Sequence, residues 1–144
     1  MIRATLLATA LVLAFVGSSG PAIAHGDGAP QPVDTKGLDS LGAEWLGTNP
    51  YRGSKSYAAV AAEIGARGYN SNCARCHGLE AKSGGMAPDL RLLGESESDD
   101  AWYISRVLQG ATVSGRQKMP PFEGLLSQEA IWAIRTYIDA QPDN

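Results

Sequence analysis

The chemically most informative segment of the chain contains both of its cysteines. Cys73 and Cys76 lie three residues apart in the run CARCH, and His77 follows directly. On a helical turn, residues three apart face the same side, so both sulfurs can reach one edge of a porphyrin while the adjacent imidazole lies under the ring. The spacing therefore favours covalent attachment of one haem c through Cys73 and Cys76, with His77 as an axial ligand of the iron.

Other uses of the two cysteines fit the sequence less well. A structural disulfide is common in exported proteins, but this spacing favours a shared ligand or a redox-active dithiol. A thioredoxin-like dithiol stands in a βαβ context, whereas the flanks here are helical and polar. A zinc site needs four ligands, and the only histidine besides His77 is His25. A coincidental pair of cysteines remains the alternative to haem attachment.

A second axial ligand has three candidates outside the first residues of the chain, namely His25, Met86 and Met119. Met86 lies nine residues after His77 in a glycine-rich loop. Met119 follows His77 by 42 residues in the run KMPPF. A methionine is more often a core residue than a ligand, so chemistry alone does not choose between the two.

Length and charge limit what the chain can be. Its 144 residues, 44% of them apolar, predict one small domain. The net charge of -3 is the wrong balance for neutralising a run of phosphates, so we expect no nucleic-acid partner. No nucleophile, carboxylate pair or phosphate-binding loop has catalytic spacing, so we expect no enzyme.

Residues 1–24 have the pattern of a signal peptide. Arg3 supplies a positive start, an apolar run of 11 residues follows at Leu6–Val16, and Ala22-Ile23-Ala24 is a small-x-small cleavage signal. The apolar run is shorter than the about 20 residues that span a bilayer, so we expect cleavage before His25 and no stable membrane insertion. The mature product is then an exported, periplasmic protein with eleven basic and fifteen acidic residues, a charge of -4.

Three main helices are predicted to position these residues, and no segment shows a clear strand pattern. Apolar residues recur at helical spacing over residues 56–70 and 101–109. Ser127 is expected to cap the last helix, in which Ile131, Ile134 and Ile138 form an apolar stripe. The middle helix has three candidate caps, which are Ser98, Asp99 and Asp100.

The remaining segments are rich in Gly, Pro and Ser. Residues 25–53 are predicted to be an irregular N-terminal arm, in which 25–42 begin no core, followed by the main domain at 54–144. Trp45, Leu46 and Tyr51 are candidates for docking the end of the arm. Segments 78–97 and 110–126 are long for structureless loops in a compact domain unless they wrap a cofactor.

Several motifs together resemble a known family. NPYRG at 49–53, NCARCHGLEA at 72–81 and APDLR at 87–91 resemble class I monohaem cytochromes c, and among these the periplasmic cytochromes that accept electrons from PQQ-dependent alcohol dehydrogenases. The resemblance covers residues 54–144. It implies a small all-α cytochrome c fold, with three helices wrapped around one covalently bound haem.

The resemblance also implies roles for individual residues. It makes Met119 the second axial ligand and gives the Pro88 carbonyl, eleven residues after His77, the task of accepting a hydrogen bond from the imidazole. It implies that the first and last helices cross at Gly65, beside Tyr69 and Tyr137. Candidates for bonding the haem propionates, which need partners when buried, are Trp102, Tyr103 and Arg116.

The resulting functional expectation is a one-electron carrier. Its donor is a PQQ-dependent alcohol dehydrogenase, and its acceptor is a terminal oxidase or another cytochrome. The alternatives are a haem enzyme or gas sensor with an open axial site, and a cytochrome subunit of a larger redox complex. Basic residues near the attachment and ligand segments are expected to orient a partner against an acidic cluster elsewhere; they are Arg75, Lys82, Arg116 and Lys118, against Glu95, Glu97, Asp99 and Asp100.

Overall fold

The structure is a computed structural model that describes residues 29–142, so the predicted signal peptide and His25 lie outside the described residues. Its elements are four α-helices, α1 (Ala58–Asn72), α2 (Ala74–His77), α3 (Glu97–Gln109) and α4 (Gln128–Asp139), and two strands, β1 (Ala111–Val113) and β2 (Arg116–Met119). Two short 3-10 helices, Leu79–Ala81 and Leu90–Leu92, lie between α2 and α3. The helix-dominated architecture confirms the predicted fold class. None of the described helices is long and apolar enough to cross a membrane.

The two long helices α1 and α4 cross at a glycine. A Cβ atom at Gly65 would lie only 1.9 Å from the carbonyl oxygen of Ala133 and 2.9 Å from Cβ of Tyr137. Next to this crossing, the rings of Tyr69 and Tyr137 pack with their centroids 5.2 Å apart. Close packing of the two helices therefore offsets the about 1 kcal/mol that glycine costs inside a helix relative to alanine.

Gly65→Ala is expected to lower the free energy of unfolding by about 3 kcal/mol, because the new methyl group would overlap a backbone carbonyl that α4 holds in place. Urea unfolding followed by circular dichroism measures the change. Gly84→Ala is the control, since a Cβ there meets nothing within 4 Å, and it should change stability by less than about 0.5 kcal/mol. Equal effects of the two substitutions would contradict the close crossing.

The last helix matches its sequence prediction. The Ser127 hydroxyl accepts a hydrogen bond from the N–H of Ala130 at 3.2 Å and caps α4. Ile131, Ile134 and Ile138 are all buried, as the apolar stripe predicts. This helix therefore supplies much of the hydrophobic core.

The middle helix begins earlier than predicted. Ser96 caps α3 by accepting a hydrogen bond from the N–H of Asp99, whose carboxylate accepts one from the N–H of Ser96 in return. The predicted caps at Ser98, Asp99 or Asp100 were wrong, since all three lie inside the helix. The apolar periodicity starts only in the second turn, because the first turn carries acidic side chains that suit the positive end of the helix dipole.

A short hairpin corrects the expectation that segment 110–126 contains no strand. β1 and β2 are antiparallel, with Val113 opposite Arg116. The turn residues Ser114 and Gly115 both have positive φ, 51° and 73°, as the tight turns of hairpins require. The strands are three and four residues long and largely exposed, so they carry no alternating apolar pattern for the sequence to reveal.

The described part of the arm, residues 29–53, contains no helix or strand but is packed onto the core. The N–H of Leu41 donates to the Glu129 carboxylate at 2.8 Å, and the N–H of Leu46 donates to the Gln128 side chain at 2.7 Å. Tyr51 is only 2% exposed. The expectation that residues up to 42 begin no core was wrong, because Leu41 and its apolar neighbours in the arm pack against the buried cluster.

A buried charge network ties the arm to α3 and α4. Asp100 and Arg135 are fully buried and lie 3.1 Å apart. Arg52 contacts Asp100 at 2.8 Å and Asp139 at 2.9 Å. Burial alone would raise the pKa of Asp100, but hydrogen bonds from Arg52 and the Asn49 N–H outweigh it and hold that pKa below its ordinary value. Asp100 is thus a structural anion and not part of an acidic surface.

Candidate functional site

One helical turn carries both thiols and the imidazole. Cys73 ends α1, where its N–H donates to the Tyr69 carbonyl at 2.8 Å, and it also begins α2. The N–H of His77 donates back to the Cys73 carbonyl at 3.0 Å. Both cysteines are free and half-buried, and so is His77. The turn therefore presents three donor groups side by side with no disulfide between the sulfurs.

The protonation of Cys73 is unlike that of a redox-active thiol. Burial raises its pKa to about 12, and the neighbouring Cys76 adds to the shift. Reactive dithiols have lowered pKa values, because the thiolate is the nucleophile. The Cys73 sulfur is therefore poorly suited to disulfide exchange.

The imidazole of His77 is held by a backbone carbonyl. Its Nδ1 atom lies 2.8 Å from the carbonyl oxygen of Pro88. A carbonyl oxygen only accepts, so Nδ1 carries the proton and Nε2 keeps a free electron pair for a metal. This is the usual arrangement of a metal-binding histidine, in which the second nitrogen fixes the orientation of the ring.

A contact missed by the sequence analysis holds the chain just after His77. The Tyr69 hydroxyl donates to the carbonyl oxygen of Gly78 at 2.7 Å. Gly78 has φ of 82°, and a Cβ there would lie 1.9 Å from the carbonyl oxygen of Lys82. Only glycine fits this turn. The position of Tyr69, four residues before Cys73, was a usable sequence signal, but it does not reveal the hydrogen-bond acceptor.

Met119 lies at the end of β2, half-buried, and packs against the buried core cluster. A Cβ at Gly110 would lie 2.4 Å from the Met119 carbonyl oxygen and 2.8 Å from the carbonyl carbon of Pro120. Just beyond, the N–H of Phe122 donates to the carbonyl of Val107 in α3 at 3.0 Å. The Met-Pro segment is therefore held closely against the end of α3.

Met86 occupies a different environment. Its side chain is 77% exposed, in the loop between the two 3-10 helices. Cys73 and Met119, in contrast, both pack against the same buried cluster. The structure thus brings Met119 to the core and leaves Met86 at the surface.

The three candidate propionate partners have different surroundings. Tyr103 is buried, and its hydroxyl already donates to the carbonyl of Ile131 at 3.0 Å. Trp102 is 48% exposed, with the guanidinium of Arg106 5.2 Å from its ring centre. Arg116 is exposed in the hairpin. Tyr103 therefore has a structural partner, and Trp102 and Arg116 remain candidates.

The expected surface charges are only partly at the surface. Of the four acidic residues predicted to form a surface cluster, Asp100 lies in the buried charge network, whereas Glu95 and Glu97 are exposed. The four basic residues are all exposed; they are Arg75, Lys82, Arg116 and Lys118. The basic half of the predicted charge pattern therefore lies at the surface.

The donor set fits a covalently bound haem better than a bare metal ion. Among residues 29–142, no three His, Cys, Asp or Glu side chains cluster in a way that would hold a metal ion. The two free thiols match the two thioether bonds that a c-type haem needs. The neighbouring imidazole, whose Nδ1 already donates to a carbonyl, keeps Nε2 for the iron. The thioether of Met119, which packs against the core cluster, would be the candidate for a further ligand to the haem iron.

The chain is similar to known proteins of the cytochrome c family. A family model described as cytochrome c oxidase, cbb3-type, subunit III matches residues 60–138. Cytochrome c550 of Pseudomonas aeruginosa is 55% identical over 130 residues, which are 90% of each chain. No solved structure matches the chain.

Two further relatives are much larger proteins. Quinohemoprotein alcohol dehydrogenase ADH-IIG of Pseudomonas putida is 33% identical over 76 residues, 53% of this chain and 10% of that protein. The dehydrogenase subunit of the alcohol dehydrogenase (quinone) of Gluconobacter oxydans is 33% identical over 103 residues, 71% of this chain and 13% of that protein. The family model covers more than half of the chain, and the similarity to cytochrome c550 extends over nearly all of it. The chain therefore belongs to the cytochrome c family and is an electron-transfer protein with a covalently bound c-type haem, not an enzyme.

Proposed function

We propose that this cytochrome is a periplasmic one-electron carrier that accepts electrons from a PQQ-dependent alcohol dehydrogenase and passes them toward a terminal oxidase or another cytochrome. The haem supplies an iron that alternates between ferric and ferrous states. The sequence of residues 1–24 supports export, since it has the pattern of a cleaved signal peptide.

The roles of the chain's own residues follow from their chemistry. Cys73 and Cys76 would anchor the haem, and Nε2 of His77 would bind its iron. The Pro88 carbonyl accepts the hydrogen bond from the other imidazole nitrogen and thereby fixes the orientation of the ring. Met119 would provide a second ligand to the iron, and its thioether would favour the ferrous state and raise the reduction potential.

The proposed electron donor is supported by the segment that this chain shares with alcohol dehydrogenases. The matches span about a tenth of those enzymes but half or more of this chain, so what is common is a piece of the size of a cytochrome. An enzyme that carries such a piece has an electron acceptor attached to it. A free cytochrome of related sequence is a natural acceptor for an enzyme of the same class.

Stopped-flow mixing of the oxidised cytochrome with a purified quinoprotein alcohol dehydrogenase and its alcohol tests the proposal. We expect rapid reduction of the haem, with a second-order rate that falls by roughly tenfold as salt rises through 0.1 M, where the Debye length is about 10 Å. Lys118→Glu should flatten this salt dependence and leave the absorption spectrum unchanged. Lys36→Glu makes the same charge change in the exposed arm and serves as the control.

No reduction by the dehydrogenase would overturn the proposed donor. Fast reduction at a rate that does not change with salt would support the proposed donor. It would also show that the partners meet through apolar contact around the haem edge. In that case the basic residues carry no role in docking.

A second candidate role is that of a cytochrome subunit in a larger redox complex. The matching family model, described as a subunit of an oxidase, favours it. Gel filtration of the cytochrome with and without a membrane-extracted oxidase distinguishes the two roles. A stable co-eluting complex supports the subunit, and elution at the size of the isolated chain supports the carrier.

A further inference from the structure

An ion pair lies immediately beside the carbonyl that holds His77. Oδ1 of Asp89 accepts hydrogen bonds from the N–H and Nε of Arg91 at 3.1 and 3.0 Å, and Oδ2 accepts one from Nη2 at 2.8 Å. The side chains are only 19% and 11% exposed. Such two-pronged contacts fix the geometry as well as the charge of both partners. Asp89 directly follows Pro88, so the pair acts on the residue that contacts the imidazole.

Further hydrogen bonds extend from this pair to both sides of Pro88. The N–H of Ser83 donates to Oδ2 of Asp89 at 3.3 Å, and the Ser83 hydroxyl donates to the carbonyl of Ala87. Nη1 of Arg91 donates to the carbonyl of Pro142 at 3.0 Å, beyond the end of α4. The peptide units before and after Pro88 are therefore both held in place. We call Asp89 and Arg91 together the clamp.

The clamp is charged under ordinary conditions. The hydrogen bond from Arg91 lowers the pKa of Asp89 to about 2, so the carboxylate remains ionised well below neutral pH. Beyond Asp89, Leu90 and Leu93 pack against the buried core cluster. The carbonyl of Pro88 thus belongs to a stiff segment and not to a freely moving loop.

We propose that Asp89 and Arg91 are positioning residues that hold the Pro88 carbonyl against Nδ1 of His77 and thereby tune the electron affinity of the iron. The inference rests on His77 being the axial ligand, as proposed above. A firmly held acceptor makes the imidazole a stronger electron donor, which favours ferric iron. Loosening the clamp weakens that hydrogen bond and shifts the equilibrium toward ferrous iron.

The direct test is the exchange of the His77 Nδ1 proton with solvent, measured by NMR on the ferrous holoprotein. Asp89→Asn and Arg91→Gln are each expected to speed exchange by roughly tenfold, since each removes a hydrogen bond between charged groups. The double variant should exchange no faster than the faster single variant, because both substitutions open the same clamp. Unchanged exchange in both single variants would overturn the inference.

The reduction potential provides a second readout, and the clamp offers an internal control for charge. Asp89→Asn removes a negative charge and Arg91→Gln removes a positive one, so their direct electrostatic effects have opposite signs. A rise of the potential in both variants is therefore the result expected from positioning, because charge alone would shift the two potentials in opposite directions. Shifts of opposite sign would mean that the pair acts through its charge and would overturn the proposal.

Arg91→Lys tests the geometry in a variant that keeps the charge and is mild for folding. Lysine cannot form the two-pronged contact, so faster Nδ1 exchange and a raised potential are expected here too. Glu63→Gln and Arg67→Gln are matched controls, since these residues form an exposed ion pair of 2.9 Å on α1. Both controls should leave exchange unchanged; acceleration equal to that of the clamp variants would contradict a specific role.

These experiments distinguish failure of the proposed clamp from failure of the proposed axial ligand His77. If His77 is not the axial ligand, His77→Ala will leave the six-coordinate, low-spin spectrum of the holoprotein intact. If His77 is the ligand but the clamp has no role, that substitution will change the spectrum while the clamp variants exchange at the rate of the unaltered protein.

Discussion

A chain with Cys73→Ser and Cys76→Ser together is expected to release its haem into acidified acetone, while the unaltered protein retains it. The hydroxyl groups cannot form thioether bonds to the porphyrin, so only axial ligands would hold the cofactor. The double variant should also fold poorly, because a chain of only 144 residues would lose a large apolar group from its core. Absorbance of the acetone phase and circular dichroism of the protein measure the two effects.

The single variants are the controls for this experiment. Cys73→Ser and Cys76→Ser each leave one thiol, so each should keep at least part of its haem bound to the protein through the extraction. Haem that stays with the double variant would contradict attachment through these cysteines. The spacing of the two cysteines in the CARCH segment would then be a coincidence without a role in haem attachment.

The second large effect is expected from Met119→Ala. Removing the thioether should abolish the far-red sulfur-to-iron absorption band of the ferric protein and let the ferrous iron bind carbon monoxide. Met119→His should instead keep six ligands and lower the reduction potential by about 0.1 V or more, since a second imidazole favours ferric iron. Absorption spectra and a redox titration measure these changes.

Met86→Ala is the matched control, because Met86 is 77% exposed whereas Met119 packs against the core. This substitution should change neither the far-red band nor the reactivity toward carbon monoxide. Loss of the far-red band in Met86→Ala but not in Met119→Ala would make Met86 the ligand. The resemblance to the family would then fail in the segment around Met119.

Local features were predicted well from the sequence. The cap at Ser127 and the apolar stripe of α4 are properties of consecutive residues, so their spacing alone reveals them. Gly65 was predicted at the helix crossing from the resemblance, and the Cβ overlap with Ala133 supplies the physical reason. The start of α3 was missed because its first turn is polar and signals itself through the capping pair Ser96 and Asp99, not through apolar periodicity.

Features that depend on distant partners were predicted less well. Asp100 was assigned to an acidic surface because it stands among other acids in the sequence, yet its partners Arg52 and Arg135 lie 48 and 35 residues away. Tyr103 was a candidate propionate partner, yet its hydroxyl donates to a carbonyl 28 residues further along. The same limit applies to the arm, in which the N–H groups of Leu41 and Leu46 find their acceptors on α4.

The sequence by itself indicated the cofactor, because two thiols and an imidazole within one turn are a local arrangement typical of haem attachment. Helical periodicity, together with the family resemblance, indicated the all-α fold. Only the tertiary structure decided which charged side chains are buried, where the arm lies, and that Asp89 and Arg91 brace the carbonyl next to His77. A buried charge must be paired, and the partners of Asp100 arrive from other parts of the chain, at Arg52 and Arg135. Such pairing between distant residues depends on the folded structure and produces no periodic pattern in the sequence.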